Sequence, residues 1–358
     1  MRKLNFNAGP AYLPDEVLQQ ASQAVLAYED TGLSVVELPH RGKAFRNIIE
    51  ESKALVKELC DLDDSYEILW LQGGGRLQFC MVPMNFLGDG ETAAYMNTGH
   101  WSQDAINYAR YYGKVDIVAS TEANGFTTLP AWPNIAQKDY AYLHLTSNNT
   151  IYGTQWHHIP EVQVPLIADM SSDIFSCAKN YNQYDLMYAA AQKNVGIAGA
   201  TLVIIKKTML QNIKRQIPPM LNYASQVKEN SILNTAPVFA IYTSLLMLRW
   251  TKAKGIAAIE LENRAKANLL YSELERNHLF SARVNNTAHR SMMNVCFSAI
   301  NDATELAFLQ YCEQHNITGI KGHRALGGFR VSLYNAVSLQ MTMQLVKVMQ
   351  DFEKQYNL

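Results

Sequence analysis

The chain has 358 residues, 48% of them hydrophobic and 18% charged, with a formal net charge of −1. That length supports a sizeable core and two domains, and the composition excludes long-range disorder. The near-neutral balance leaves no field that would favour nucleic acid or a membrane surface, and the most apolar stretch, Ala236–Leu248, is too short to span a bilayer. The five cysteines (Cys60, Cys80, Cys177, Cys296, Cys312) are odd in number and widely spaced, without a C-x-x-C pair. This argues against a disulfide framework or zinc knuckle and suits a reducing compartment. No apolar segment follows the basic residues Arg2 and Lys3, so a cytoplasmic location is expected.

Phe6–Ala11 reads as an extended arm ending in the Gly9-Pro10 turn. A helix is expected from Pro14, with Asp15 and Glu16 complementing its positive end and Leu18, Ala21, Val25 and Tyr28 as its apolar face, up to Thr31-Gly32. Pro39-His40-Arg41-Gly42-Lys43 is a basic loop ahead of a second amphipathic helix carrying Phe45, Ile48, Ile49, Leu55 and Leu59. Short apolar runs then predict strands at Tyr66–Gln72, Ala93–Met96, Val115–Ala119, Tyr140–Leu145, Val164–Ala168, Leu186–Ala190 and Thr201–Ile205. Such runs, separated by helical patterns, predict an α/β fold with a mostly parallel sheet covered on both faces. In sheets of this kind ligands gather at the carboxyl ends of the strands. From Phe239 the character changes. Helical patterns over Phe239–Ala253 and Gly255–Arg276 lead into strands at Met293–Ser298 and Phe329–Tyr334, each followed by a helix. The expected division is a large domain over 15–255 and a small α+β domain over 256–358 joined by the arm 1–14.

The chemistry-bearing residues stand at strand ends. Lys193 lies between two apolar runs with only Gln192 and Asn194 as polar neighbours. It either reaches solvent or is a desolvated amine able to attack an aldehyde. Gln72-Gly73-Gly74-Gly75-Arg76 joins a strand to a helix, either as a tight turn or as a cradle for phosphate at the helix N-terminus. It matches neither a Walker loop nor G-x-G-x-x-G. Trp101 in Gly99-His100-Trp101 is core or a stacking platform. Asn148-Asn149-Thr150 reads most simply as a turn. Asp169 ends a buried strand, either as a functional acid or as the cap of a helix begun by Ser171-Ser172. His157-His158 has no partner at metal-ligand spacing, and no metal site is expected. Together, a phosphate cradle, a flat ring, a buried acid and a desolvated lysine match what pyridoxal phosphate requires.

On these residues the sequence resembles the phosphoserine aminotransferase family, fold-type-I pyridoxal-phosphate enzymes within the class V aminotransferases. The shared stretches run nearly end to end: Phe6–Ala11, His40-Arg41-Gly42-Lys43, Gly73–Arg76, Gly99-His100-Trp101, Asn149-Thr150-Ile151, Ala168-Asp169, Ala191–Asn194, Asn234-Thr235, and Lys321–Arg324 through Gly327–Arg330. The resemblance implies that Lys193 is the Schiff-base lysine and that Asp169 holds the ring nitrogen protonated. It implies that Trp101 stacks on the ring, that Thr150 binds near it, and that Gly75, Arg76 and Gln192 line the cofactor site. Asn234 and Thr235 would reach the cofactor phosphate of a neighbouring subunit, which makes a homodimer part of the site. Arg330 would clamp the substrate α-carboxylate, while His40, Arg41, Arg76, His323 and Arg324 would hold the distal phosphate or the side-chain carboxylate of glutamate. Guanidinium forks serve both anions.

The implied reaction is amino transfer from L-glutamate to 3-phosphohydroxypyruvate, and the family also acts on the related phosphorylated keto acid of pyridoxal-phosphate biosynthesis. Four positions depart from the family pattern: Ala190 where glycine is usual, Leu77 where a small residue is usual, Asn149 in place of glutamate, and Ala8 where serine can occur. Two other readings remain. A serine–glyoxylate or alanine–glyoxylate aminotransferase handles no distal anion and leaves the two His-Arg loops unexplained. A non-catalytic binding protein of the same fold would have no use for Lys193 and Asp169 together.

Overall fold

In the computed structural model, which describes residues 2–135 and 138–356, the seven apolar runs expected to be strands pair into one sheet. They are β1 (Tyr66–Leu71), β2 (Thr92–Asn97), β3 (Lys114–Ser120), β4 (Leu143–Thr146), β5 (Leu166–Asp169), β6 (Leu186–Ala190) and β7 (Thr201–Lys206), in the order β1-β7-β6-β5-β4-β2-β3. Only β7 runs against its neighbours. The carboxyl ends of the other six strands therefore lie along one rim.

Alternating residues explain why these strands read as unbroken apolar runs. Ile68, Trp70, Met187, Ala189, Leu202 and Ile204 enter the core on one face, whereas Leu69, Leu71, Leu186, Tyr188, Val203 and Ile205 enter the core on the other. The first face is covered by α1 (Asp15–Leu26), α2 (Lys43–Leu59) and, later in the chain, Val238–Lys254; the second by α3 (Gly74–Phe86) and α4 (His100–Ala109). The edge strand β3 keeps Lys114, Ile117 and Ser120 exposed, as a strand with one free side can.

The first helix is rotated from the face expected, with Ala21 and Tyr28 buried as expected but Leu18 and Val25 not. Val17, Ala21 and Ala24 are buried, while Leu18 and Val25 are each 38% exposed. Leu13, Val17, Ala21, Ala24 and Tyr28 form one stripe into the core. The small alanines let the helix approach its neighbour closely, so side-chain size was a misleading guide to its inward face.

Naming Val238–Lys254 α5, the chain continues through α6 (Ile256–Arg276), α7 (Asp302–Gln314) and α8 (Leu339–Tyr356). Between them β8 (Phe280–Ala282), β9 (Asn294–Ala299) and β10 (Phe329–Ser332) form an antiparallel sheet in that order. β8 was not expected, because a Phe-Ser-Ala run is too short to show an alternating pattern. A separate core holds Phe6 with residues between Ala267 and Phe352, and Leu4 and Asn5 pair in parallel with Ile317 and Thr318. On these contacts we propose the domain border at Gly255, where φ is +80° between α5 and α6, with the arm belonging to the small domain. Residues 1, 136, 137, 357 and 358 of that division lie outside the described residues. Among the described residues no helix is long and apolar enough to cross a membrane.

Candidate active site

The strand ends along the common rim converge on a cavity of about 280 Å3, lined by the Gly73–Arg76 turn, Trp101, Asp169, Ser171, Gln192 and Lys193. Clefts of about 440 Å3 beside Arg264 and Arg290 and about 560 Å3 beside Asp185 and Lys206 hold none of these residues.

The turn from β1 into α3 depends on glycine. Gly73 and Gly74 have φ of +86° and +64°, and a Cβ on Gly73 would lie 2.5 Å from Leu77 Cδ2. Leu77 thus occupies the space that the glycine leaves. The first amides of α3 have no carbonyl partner within the helix, which makes this end a seat for an anion. Gly99, ahead of α4, is extended at φ 164° but closely approached: a Cβ there would meet Asn149 Oδ1 at 2.8 Å. Asn149 is buried and joins two strand ends, donating to Thr98 Oγ1 (3.2 Å) and Thr154 Oγ1 (3.0 Å). Its place in the molecule is structural. Trp101 Nε1 is buried without a hydrogen-bond partner among the described residues, and the Arg76 guanidinium lies 5.4 Å from the Trp101 ring.

Asp169 ends β5 and is 6% exposed. The helix that one of its two readings places after it is absent. The chain turns instead, with Ser171 N–H donating to Asp169 Oδ1 at 2.9 Å. Burial pushes the Asp169 carboxyl up, opposed by the charge of Lys193 and by the hydrogen bonds from Ser171. Behind it Asp173 is fully buried and accepts from Ser147 Oγ, Gln155 Nε2 and Lys179 Nζ.

Lys193 sits in the turn between β6 and β7, half-buried, and its Nζ donates to Thr150 Oγ1 over 3.0 Å. The N-terminal arm closes over this turn: Ala11 N–H donates to Gln192 O at 2.9 Å, and Gly9 packs on Gln192 and Lys193. Burial pushes the Lys193 ammonium down to about 8; the charge of Arg330 adds to that, while Asp169 and Asp173 oppose it. Of the two readings open for this lysine, the desolvated amine is the one realised.

Arg330 enters from the small domain on β10, opposite Cys296 of β9. Its Nε is buried and unpartnered among the described residues, an arrangement suited to an incoming carboxylate. His323 and Arg324 occupy a tight loop in which Gly322 N–H donates to Gly328 O at 2.7 Å. The His323 ring stands 5.7 Å from that of His100 at the start of α4. Burial, Arg330, His100 and Arg324 all push the His323 imidazole down.

Of the eight expected site residues that do not line this cavity, Thr150 and Arg330 act on Lys193 and His323 and Arg324 share one loop, while the other four lie in two further segments. His40 and Arg41 lie in a turn closed by Gly42 N–H to Pro39 O at 2.7 Å, with Arg41 exposed. Asn234 and Thr235 lie beside the end of β1, where Gln72 Nε2 donates to Thr235 O at 3.2 Å. Conversely, Ser171, His100 and Asp104 were not singled out. Ser171 lines the cavity and accepts from Ala190 N–H at 3.1 Å. The His100–Asp104 pair follows the i,i+4 spacing of one helix face, a signal present in the sequence.

A family model described as Aminotransferase class-V matches residues 3–343. A phosphoserine aminotransferase from Azobacteroides pseudotrichonymphae is 46% identical, over 99% of this chain and 98% of its own length. The solved phosphoserine aminotransferase from Bacillus circulans subsp. alkalophilus superposes with a TM-score of 0.96 at 40% identity, covering 99% of each chain. The solved PLP-bound phosphoserine aminotransferase from Trichomonas vaginalis gives 0.91 at 33% identity, covering 98% of this chain and 100% of that one.

Proposed function

The chain belongs to the class V aminotransferases and, within them, to the phosphoserine aminotransferase family, and we propose that it moves the amino group of L-glutamate to 3-phosphohydroxypyruvate, giving O-phospho-L-serine and 2-oxoglutarate. It is a pyridoxal-phosphate-dependent transaminase. The cavity suits that cofactor: free amides at the α3 end, an indole with an unpartnered Nε1, a buried carboxylate, and an amine that loses its proton readily. Gly75, Arg76, Trp101, Thr150 and Gln192 would hold it together with Asp169 and Lys193.

When bound, pyridoxal phosphate supplies an aldehyde carbon and a conjugated ring that takes up the electron pair left at the substrate Cα. Lys193 Nζ takes the proton from that Cα, and its desolvation makes the required neutral amine accessible near neutral pH. Thr150 Oγ1 aims the amine. The Asp169 carboxylate, fixed by the Ser171 amide, would accept a hydrogen bond from a ring N–H and balance its charge. Arg330 binds the α-carboxylate, while Arg76, His323 and Arg324 meet the distal anion. The arm over Gln192 excludes water from the lysine turn.

The observation that carries this reading is the meeting of Lys193 and Asp169 in one cavity under the charge of Arg330. We infer a homodimer as the active unit. His40, Arg41, Asn234 and Thr235 lie outside the cavity of their own chain, so the roles implied for them require a second copy. A glyoxylate-using enzyme has no distal anion and leaves Arg76, His323 and Arg324 without a ligand. Assaying the cofactor-loaded enzyme with glutamate plus either 3-phosphohydroxypyruvate or glyoxylate tests the reading. 2-Oxoglutarate is expected to form efficiently only with the phosphorylated acceptor, and a preference for glyoxylate overturns it.

A further inference from the structure

Beside Arg76, which lines the cavity, one carboxylate faces a guanidinium and an imidazole. Asp104 Oδ2 lies 3.1 Å from Arg76 Nη2 and 3.8 Å from His100 Nε2. The His100 ring stands 5.7 Å from His323, and Arg76 lies 5.4 Å from the Trp101 ring. Asp104 Oδ2 is buried and makes no hydrogen bond among the described residues, so charge alone ties it to the Arg76 guanidinium. The Arg76 side chain is 58% exposed and that of Asp104 only 21%. The cation is thus placed to turn toward an incoming ligand while the anion stays where it is.

We propose that Asp104 is a built-in competitor for the distal anion of the substrate, and thereby a specificity-determining residue. The inference rests on the reading of Arg76 and His323 as the seat of that anion. Repulsion from a fixed carboxylate scales with ligand charge, so a phosphate dianion at the seat is penalised about twice as much as a carboxylate monoanion. Attraction to the surrounding arginines favours the dianion in the same proportion. Both ligands must enter and leave one seat in each transamination cycle. Asp104 therefore narrows a gap in affinity that the arginines alone would leave wide, and it holds Arg76 over Trp101 while the seat is vacant.

Calorimetric titration of the cofactor-loaded enzyme with inorganic phosphate reads the seat directly, because the cofactor's own phosphate site is then filled. D104N is expected to bind phosphate about three- to tenfold more tightly than the parent, and D104E to bind it like the parent. In steady state, the KM of D104N for 3-phosphohydroxypyruvate is expected to fall more than its KM for glutamate, with kcat little changed. Unchanged or weaker phosphate binding by folded D104N overturns the proposal, since Asp104 would then do no more than position Arg76. If the parent enzyme itself binds no phosphate, the anion seat is absent, and the functional reading fails along with the inference.

Discussion

Among the lysines desolvated by burial, Lys193 and Lys266 have surroundings that give them opposite fates. Lys193 is pushed down to about 8 and Lys266 to about 7, in both cases chiefly by burial. Lys266, on α6, has no exposed surface, and its Nζ donates to the carbonyls of Leu333 (3.0 Å), Tyr334 (3.0 Å) and Val337 (2.7 Å). Lys193 makes one hydrogen bond, to Thr150, and borders a cavity. A displaced pKa marks both residues, but only one of them has room for a reacting partner. Lys266 instead fastens the turn after β10, whose Asn335 N–H donates to the Asn194 side chain at 3.0 Å, beside the reactive lysine.

Removing each amine tests that contrast most sharply. Lys193→Ala is expected to lower kcat at least a thousandfold while leaving the unfolding free energy nearly unchanged, as read by steady-state kinetics and urea titration. Lys266→Met is expected to do the reverse. It takes the ammonium donor from three buried carbonyls, of which Tyr334 O keeps the Val337 N–H, and costs about 2–3 kcal/mol of stability, with activity of the folded enzyme largely kept. A large loss of kcat in folded Lys266→Met would blur the distinction.

The effect next in size is at Asp169. Asp169→Asn keeps the shape of the group and removes its charge, so kcat is expected to fall roughly a hundredfold, with the enzyme still able to bind cofactor. The same variant shifts Lys193, because the carboxylate opposes the downward push. In the apoenzyme, the rate of cofactor capture should rise with pH and level off above about 8, as the amine becomes neutral. Its midpoint should move lower in Asp169→Asn and higher in Arg330→Gln. An unmoved midpoint in both variants would remove the charges of Asp169 and Arg330 from the account.

The smallest expected effect concerns stability as a function of pH, because the three carbonyls that accept from Lys266 Nζ favour its ammonium form and offset part of the push from burial. Lys266 has a lower pKa folded than its unfolded value of 10.5, so the folded state binds fewer protons between about pH 7 and that value. Its contribution to stability is present above the unfolded value and is lost as pH falls toward 7. Lys266→Met should flatten that part of the stability profile, and an unchanged slope from urea unfolding across this range would count against it.

The sequence exposes the sheet better than the site. Six of the seven strands announce themselves because both faces are buried, leaving apolar runs such as Leu186–Ala190 intact, whereas the edge strand β3 is partly exposed. Short or size-disguised elements escape that signal: β8 has three residues, and α1 turns Ala24 inward in place of Val25. At the site, Lys193, Asp169, Trp101 and the Gly73–Arg76 turn are legible because strand ends along one rim must converge. His40, Arg41, Asn234 and Thr235 do not line the cavity, and the roles the resemblance implies for Asn234 and Thr235 concern a neighbouring subunit. Ser171 and Asp104 were passed over because they are ordinary polar residues whose meaning depends on how a turn closes and how two helices meet.

The most direct measurement is to expose the apoenzyme to pyridoxal phosphate, reduce with borohydride, and map the modified lysine by mass spectrometry. The account predicts a single stoichiometric adduct on Lys193 that is lost in Lys193→Ala. A stoichiometric adduct on Lys266 or any other lysine, or none at all, would contradict it.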